Sequence, residues 1–239
     1  MKAIIIGATS GIGEALALEM AKQGYELGLT GRRTENLTAI QQQLQNTAKT
    51  HIQTMDVTNY EQAQTDFMSL VTQMGGVDVV VINAGIGSFS TKWEAELSII
   101  NTNVAGFCAI AHIAFTYFAQ QKKGHIVGIS SVAAVSGGAQ MPAYNASKAF
   151  ISNYMQGLRQ KSLRKNLNIA ITDIRPGFVK TPMTEQNRFM FWVATAQKAA
   201  AQIAQAIKNK RKVAYITRRW LLVAWILQLL PDKMMAKMG

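Results

Sequence analysis

Apolar residues in this chain fall into short dense runs separated by longer, more polar stretches. Ile4-Ile5-Ile6 and Val79-Val80-Val81 are nearly continuous, as in strands covered on both faces. Runs at 2–6, 26–30, 51–55, 77–82, 125–130, 168–174 and 212–216 predict strands. The stretches between them have helical length and composition, most clearly 12–23, 34–45, 60–73, 104–121 and 143–165. Strand and helix alternate throughout. That predicts an α/β fold, a parallel sheet with helices on both faces. The sequence carries no internal repeat, linker or low-complexity tract.

One late segment departs from this pattern. Residues 220–230 are apolar apart from Gln228, and Arg218, Arg219 and Lys233 flank them. A helix apolar all round must be buried somewhere. At eleven residues it is too short to span a bilayer. It can sit in a subunit interface, cover a site or dip into an anionic membrane surface. Burial against protein, near the substrate pocket or a partner subunit, is the expectation, because an exposed run of this size invites aggregation.

The length of 239 residues suits one α/β domain with a sizeable core. The only cysteine, Cys108, cannot close an intrachain disulfide and lies in an apolar stretch, so a buried, inert thiol is expected. Without a disulfide framework or a leader ahead of the first strand, a reducing cytoplasm is the default compartment. The net charge of +12 points to anionic partners. No nucleic-acid motif or aromatic stacking pattern accompanies the basic clusters, so solvated faces and attraction of a phosphorylated cofactor account for them better. His51, His112 and His125 are scattered without carboxylate or cysteine at ligand spacing, which argues against a metal site.

The candidate chemistry lies at strand ends. Gly7-Ala8-Thr9-Ser10-Gly11-Ile12-Gly13 follows the first strand and opens the first helix. Glycines there let the backbone turn tightly and approach a diphosphate, and a helix N-terminus supplies N–H donors. The second strand ends in Arg32 and Arg33, where an NAD-binding chain usually carries an acid for the ribose 2′-hydroxyl. Arginine matches phosphate geometry, so NADP is expected over NAD. Asp56-Val57 closes the third strand, where a carboxylate can accept from an adenine amino group. Asn83-Ala84-Gly85 closes the fourth, where small residues let a nucleotide lie against the sheet. Tyr144 and Lys148 stand four apart on a predicted helix and share a face. The ammonium favours the phenolate, so the tyrosine pKa should fall from about 10 toward working pH, as proton transfer to or from a substrate requires. Ser131 lies thirteen residues upstream, in a Ser-Ser pair. No hydrolase elbow surrounds it.

Taken together and in order, these motifs resemble the short-chain dehydrogenase/reductase family, from Gly7 through Pro176-Gly177-Phe178-Val179-Lys180-Thr181. The resemblance implies a Rossmann-type, doubly wound, seven-stranded sheet and one nicotinamide cofactor. It makes Tyr144 the general acid/base, Lys148 the residue that lowers its pKa and holds the nicotinamide ribose, and Ser131 a hydrogen-bond partner of the substrate oxygen. Asn103, in Asn103-Val104-Ala105-Gly106, would anchor a water in the proton relay. Pro176, Gly177, Val179 and Thr181 would border the nicotinamide, and Arg32 would mark NADP preference. Two departures, Ile6 for a threonine and Ile82 for an asparagine, bear only on loop packing. The resemblance also implies a homodimer or homotetramer in which 104–121 and 143–165 pair through Ala105, Gly106, Ala109, Ala146 and Ala149. The family varies after Thr181, so 182–200 is expected to be the substrate lid of the single domain, with Phe189, Met190, Phe191 and Trp192 either over a hydrophobic substrate or in the core. Residues 218–239 form the apolar tail. The expected activity is NADPH-dependent interconversion of a carbonyl and an alcohol on an apolar small molecule. A non-catalytic nucleotide sensor and a membrane-associated lipid reductase are the alternatives.

Overall fold

The computed structural model describes residues 1–90, 92–185, 187 and 190–236. Seven strands form one parallel sheet: β1 (Lys2–Ile6), β2 (Glu26–Gly31), β3 (Thr50–Thr54), β4 (Val79–Ile82), β5 (Lys123–Ile129), β6 (Asn168–Pro176) and, in the order of the chain, β9 (Val213–Ile216). They lie in the order β3-β2-β1-β4-β5-β6-β9. The chain winds outward one way from β1 through β3, then returns to the other side of β1 with β4. Ligands of such sheets bind beyond the carboxyl ends of the strands where the order reverses.

Alternation along the strands divides the core in two. Ala3, Ile5, Val79 and Val81 face a layer of α1 (Gly11–Lys22), α2 (Thr34–Leu44) and α7 (Ala196–Lys208). Ile4, Ile6, Val80 and Ile82 face α3 (Tyr60–Met74), α5 (Phe107–Gln121) and α6 (Pro142–Arg164). Phe67, Phe107 and Phe118 fill the second layer and are fully buried. A two-stranded ladder, β7 (Val179–Lys180) with β8 (Ala194–Thr195), stands apart from the main sheet.

Several elements depart from the expectations. The helix expected at 104–121 is the end of a longer one. It starts as α4 (Trp93–Ile99), widens through a π-helical stretch at Ile100–Gly106 and continues as α5. Trp93–Gln121 is long and apolar enough to cross a membrane, but Ile99, Phe107, Ile110, Ala114 and Phe118 are buried against the sheet. The lid expected over 182–200 is too long by its last five residues. Those begin α7, with Ala199 and Ala200 fully buried in the α1 layer. Phe189 lies outside the described residues. Gly106, expected at a subunit contact, faces inward, where an added Cβ would press on Val57. Cys108 is half-buried rather than buried.

The tail departs most. α8 (Trp220–Leu229) buries only Trp220 and Ala224 fully, while Leu222, Trp225, Ile226 and Leu229 are exposed. α9 (Asp232–Met235) follows it.

Candidate active site

The carboxyl ends of six strands, β1 to β6, and the start of α6 border one cleft of about 560 Å³. At one end is the glycine loop. Gly7 has φ +86°, and an added Cβ would come within 2.7 Å of the Ala84 backbone. A Cβ on Gly13 would overlap the Gly7 carbonyl, so the loop stays tight against the opening of α1 only because these positions are bare. Asn83 ties the loop down, its Nδ2 donating to the Gly7 carbonyl at 2.6 Å. Ser10 is the N-cap of α1, yet its side chain makes no capping bond. Instead the Arg33 guanidinium donates to Thr9 Oγ1 and Ser10 Oγ, both at 2.8 Å. A bare loop, a helix start and an arginine drawn over them fit a phosphate. The arginines therefore divide. Arg33 closes on the loop, whereas Arg32 acts on Asp56.

Asp56 Oδ1 accepts from the Thr58 N–H at 2.9 Å and the Thr58 hydroxyl at 2.8 Å. Burial alone would raise its pKa. The two Thr58 bonds and the Arg32 charge outweigh that and hold it below the usual range. Val57, Ala84 and Gly85 continue the wall, and Gly11 and Ile12 line the loop end.

At the inner end, Pro142 in the first turn of α6 pre-sets the helix for Tyr144, with Lys148 one turn on. Lys148 is only 5% exposed, and its Nζ donates to the Ile129 carbonyl at 3.1 Å. It lies 5.6 Å from the Tyr144 ring centre. Gly85 lies between this amine and Asn103, where an added Cβ would come within 3.2 Å of Asn103 Oδ1. Burial lowers the Lys148 pKa to about 8, while the Asp173 carboxylate pulls it upward. The expected fall of the Tyr144 pKa does not occur. Burial raises it, and the hydrogen bond with Ser131 opposes this only in part. Desolvation of the phenol prevails over the Ser131 bond. The phenol keeps its proton across the neutral range.

Ser131 caps a 3₁₀ turn at Val132–Val135, its Oγ accepting from the Ala133 N–H at 3.1 Å. Pro176, Gly177, Val179 and Thr181 line the same cleft. Asn103 does not. It is fully buried in the π-helical stretch, a local winding common at functional sites. Its amide clamps Ile86, accepting from the backbone N–H and donating to the carbonyl, both at 2.8 Å, and donates to Ser147 Oγ at 3.0 Å.

Residues 1–192 match the family of short chain dehydrogenases. This chain belongs to the short-chain dehydrogenase family. An uncharacterised oxidoreductase of Myxococcus xanthus is 37% identical over 192 residues, covering 78% of this chain and 75% of its own. One of Mycobacterium tuberculosis is 30% identical over 98% of this chain and 95% of its own. The crystal structure of ElxO with NADP bound is 26% identical, with a TM-score of 0.79 over 90% of this chain and 96% of its own. A short-chain dehydrogenase/reductase of Burkholderia phymatum in complex with NAD shares the fold, at TM-score 0.85 and 21% identity over 93% of this chain and 91% of its own. The chain is thus a nucleotide-binding oxidoreductase of Rossmann type.

One part of this dehydrogenase's site was not read from the sequence, and a second was anticipated only as a tail that can cover a site. Behind the cleft, Asp173 is fully buried. It accepts from Ser130 Oγ at 2.5 Å and from Arg175 Nε at 2.8 Å, and Arg175 reaches Tyr215 at 2.9 Å. Beside the cleft, Trp220 of the tail occupies the space a side chain on Gly177 would fill. Its ring lies 5.4 Å from Phe178 and 5.0 Å from Phe191. Arg219 donates to the Trp192 carbonyl at 3.0 Å and lies 4.9 Å from that ring.

Proposed function

We propose that this dehydrogenase is an NADPH-dependent carbonyl reductase, or the corresponding alcohol dehydrogenase, acting on an apolar small molecule. The observation that carries this reading is the convergence of Ser131, Tyr144 and Lys148 at the inner end of the cleft whose outer end bears Arg32 and Arg33. When bound, the nicotinamide cofactor supplies the hydride. Arg33, already bonded to Thr9 and Ser10, would pair with the 2′-phosphate, and the bare Gly7–Gly13 loop would hold the diphosphate. ElxO, crystallised with NADP, adds support for this cofactor.

The protein's own groups handle the oxygen and its proton. Ser131 Oγ hydrogen-bonds the carbonyl oxygen. Tyr144, whose phenol burial keeps protonated, gives its proton as charge develops there. Lys148 adds positive charge behind the phenol, and Asp173 sustains that charge. Asn103 acts one step back, fixing the Ile86 turn beside Lys148. Residues 190–193 and Trp220 offer the apolar wall that a hydrophobic substrate would meet. The complete Ser131, Tyr144 and Lys148 set favours an enzyme over a silent nucleotide sensor.

We also assign a homodimer or homotetramer contact to α5 and α6. Ala146 is exposed there, with Ala109 and Ala149 half-buried. A monomeric mass by light scattering would exclude it.

The catalytic reading is tested with a panel of ketones and aldehydes, following NADPH absorbance. Consumption that depends on an apolar carbonyl is expected. No consumption with any member, using NADPH or NADH, would refute it.

A further inference from the structure

α8 carries two apolar stripes. The inward one is Trp220 and Ala224, at 2% and 1% exposure. The outward one is Leu222, Trp225, Ile226 and Leu229, spaced i, i+3, i+4, i+7. That spacing ordinarily marks the face a helix turns to the core. Here those residues are 61%, 64%, 56% and 83% exposed. Gln228 is the only polar residue of the helix.

Charge indicates what covers this face. The cations at this face are those next to α8, whereas the Lys208, Lys210, Arg211 and Lys212 cluster precedes β9 at the opposite, amino end of the sheet. Arg218 and Arg219 stand at one end of α8 and Lys233 beyond the other. A second copy laid parallel along the stripe would set Arg218 and Arg219 against their own copies, and laid antiparallel would set them against Lys233 with Asp232, so neither direction offers the cations an acidic partner surface. An anionic lipid surface meets both demands, taking the apolar stripe below its headgroups and the cations among them. Tryptophans suit that boundary, and Trp225 is joined by Trp192, 45% exposed, which Arg219 fastens to the start of α8. Ten residues span roughly 15 Å at 1.5 Å each, half a hydrocarbon core, so the helix lies flat.

We propose that the outward face of α8, with Trp192, docks this enzyme on anionic lipid. Because Trp220 on the opposite face packs on Gly177 at the cleft, docking sets the substrate entrance beside the surface, which suits a membrane-dissolved carbonyl compound. The substrate clause rests on the carbonyl-reductase reading; the docking itself does not.

The test sediments the full-length protein with vesicles of phosphatidylcholine alone, or mixed equally with phosphatidylglycerol. Activity is read separately as NADPH consumption on a water-soluble ketone, so binding and catalysis can fail independently. Binding on the order of 10²-fold tighter to the anionic vesicles is expected, weakening as salt rises. The triple variant Leu222→Gln/Trp225→Gln/Ile226→Gln should lose at least about tenfold in vesicle affinity and keep its activity on the soluble ketone. Arg218→Gln/Lys233→Gln should erase most of the preference for anionic lipid. Equal partitioning of the unmutated protein to both vesicles, or none to either, would overturn the proposal. So would a larger solution mass for the unmutated protein than for the triple variant, because the face would then be closed by a second copy.

Discussion

Arg33 reaches the glycine loop more directly than its neighbour does. It already holds Thr9 and Ser10, whereas Arg32 acts on Asp56. NADPH should therefore be preferred over NADH by on the order of 10²-fold in kcat/KM, as two charge-assisted contacts allow. Arg33→Ala should remove most of that preference, mainly by weakening NADPH, and Arg32→Ala less. Equal use of both cofactors by the unmutated enzyme would show these arginines to be surface charges. His125 offers a separate check. It is buried, its Nε2 lies 2.8 Å from Thr172 Oγ1, and burial lowers its pKa to about 4. Unfolding restores the ordinary value of 6.5, so the unfolded chain binds the proton first. Stability is intact above pH 6.5 and falls as pH drops toward 4, by on the order of 3 kcal/mol. Denaturation midpoints above and below that window should converge in His125→Gln, and an unchanged pH dependence would contradict this. At this scale the sequence reveals groups close together in the chain, such as Gly7 to Gly13 or Tyr144 with Lys148. It hides Asp173 and Ser130, which lie 43 residues apart and meet only because β5 pairs with β6. It also hides the sign of the Tyr144 shift, because burial is a property of the whole site.

Strands were the most legible elements. Both faces of the inner strands are covered, so apolar runs mark them directly, and β1 matches its expected span; the edge strand β3, Thr50–Thr54, is more polar and half-exposed. α7 left a readable signal in Ala199, Ala200, Ile203, Ala204 and Ile207, which recur at helical spacing; the expected lid obscured it. α4 left little, because only Ile99 of its residues is buried. The tail helix was legible as a helix, but not as one with an outward apolar face. Its inward anchor is Trp220, packed among Gly177, Phe178 and Phe191. Trp220→Ala should cost roughly 3–5 kcal/mol in urea denaturation, as truncation of a buried aromatic does. A loss below about 1 kcal/mol would mean that the tail rests on the domain without being part of its core.

For the molecule as a whole, alternating elements and apolar strands were enough to anticipate a doubly wound sheet. The position of the cleft follows from where the strand order turns back, between β1 and β4. Arg33, the glycine loop, Asn83, Lys148 and Tyr144 come from distant parts of the chain and meet along that one line. The account's central claim is that this line ends in a tyrosine that gives its proton to a carbonyl oxygen. Tyr144→Phe keeps the ring and its packing but removes the transferable proton. The most direct measurement is turnover of the purified variant on an active ketone, beside its NADPH affinity. Turnover should fall at least about 10²-fold while NADPH affinity hardly changes. Near-normal turnover with intact NADPH binding would contradict the account.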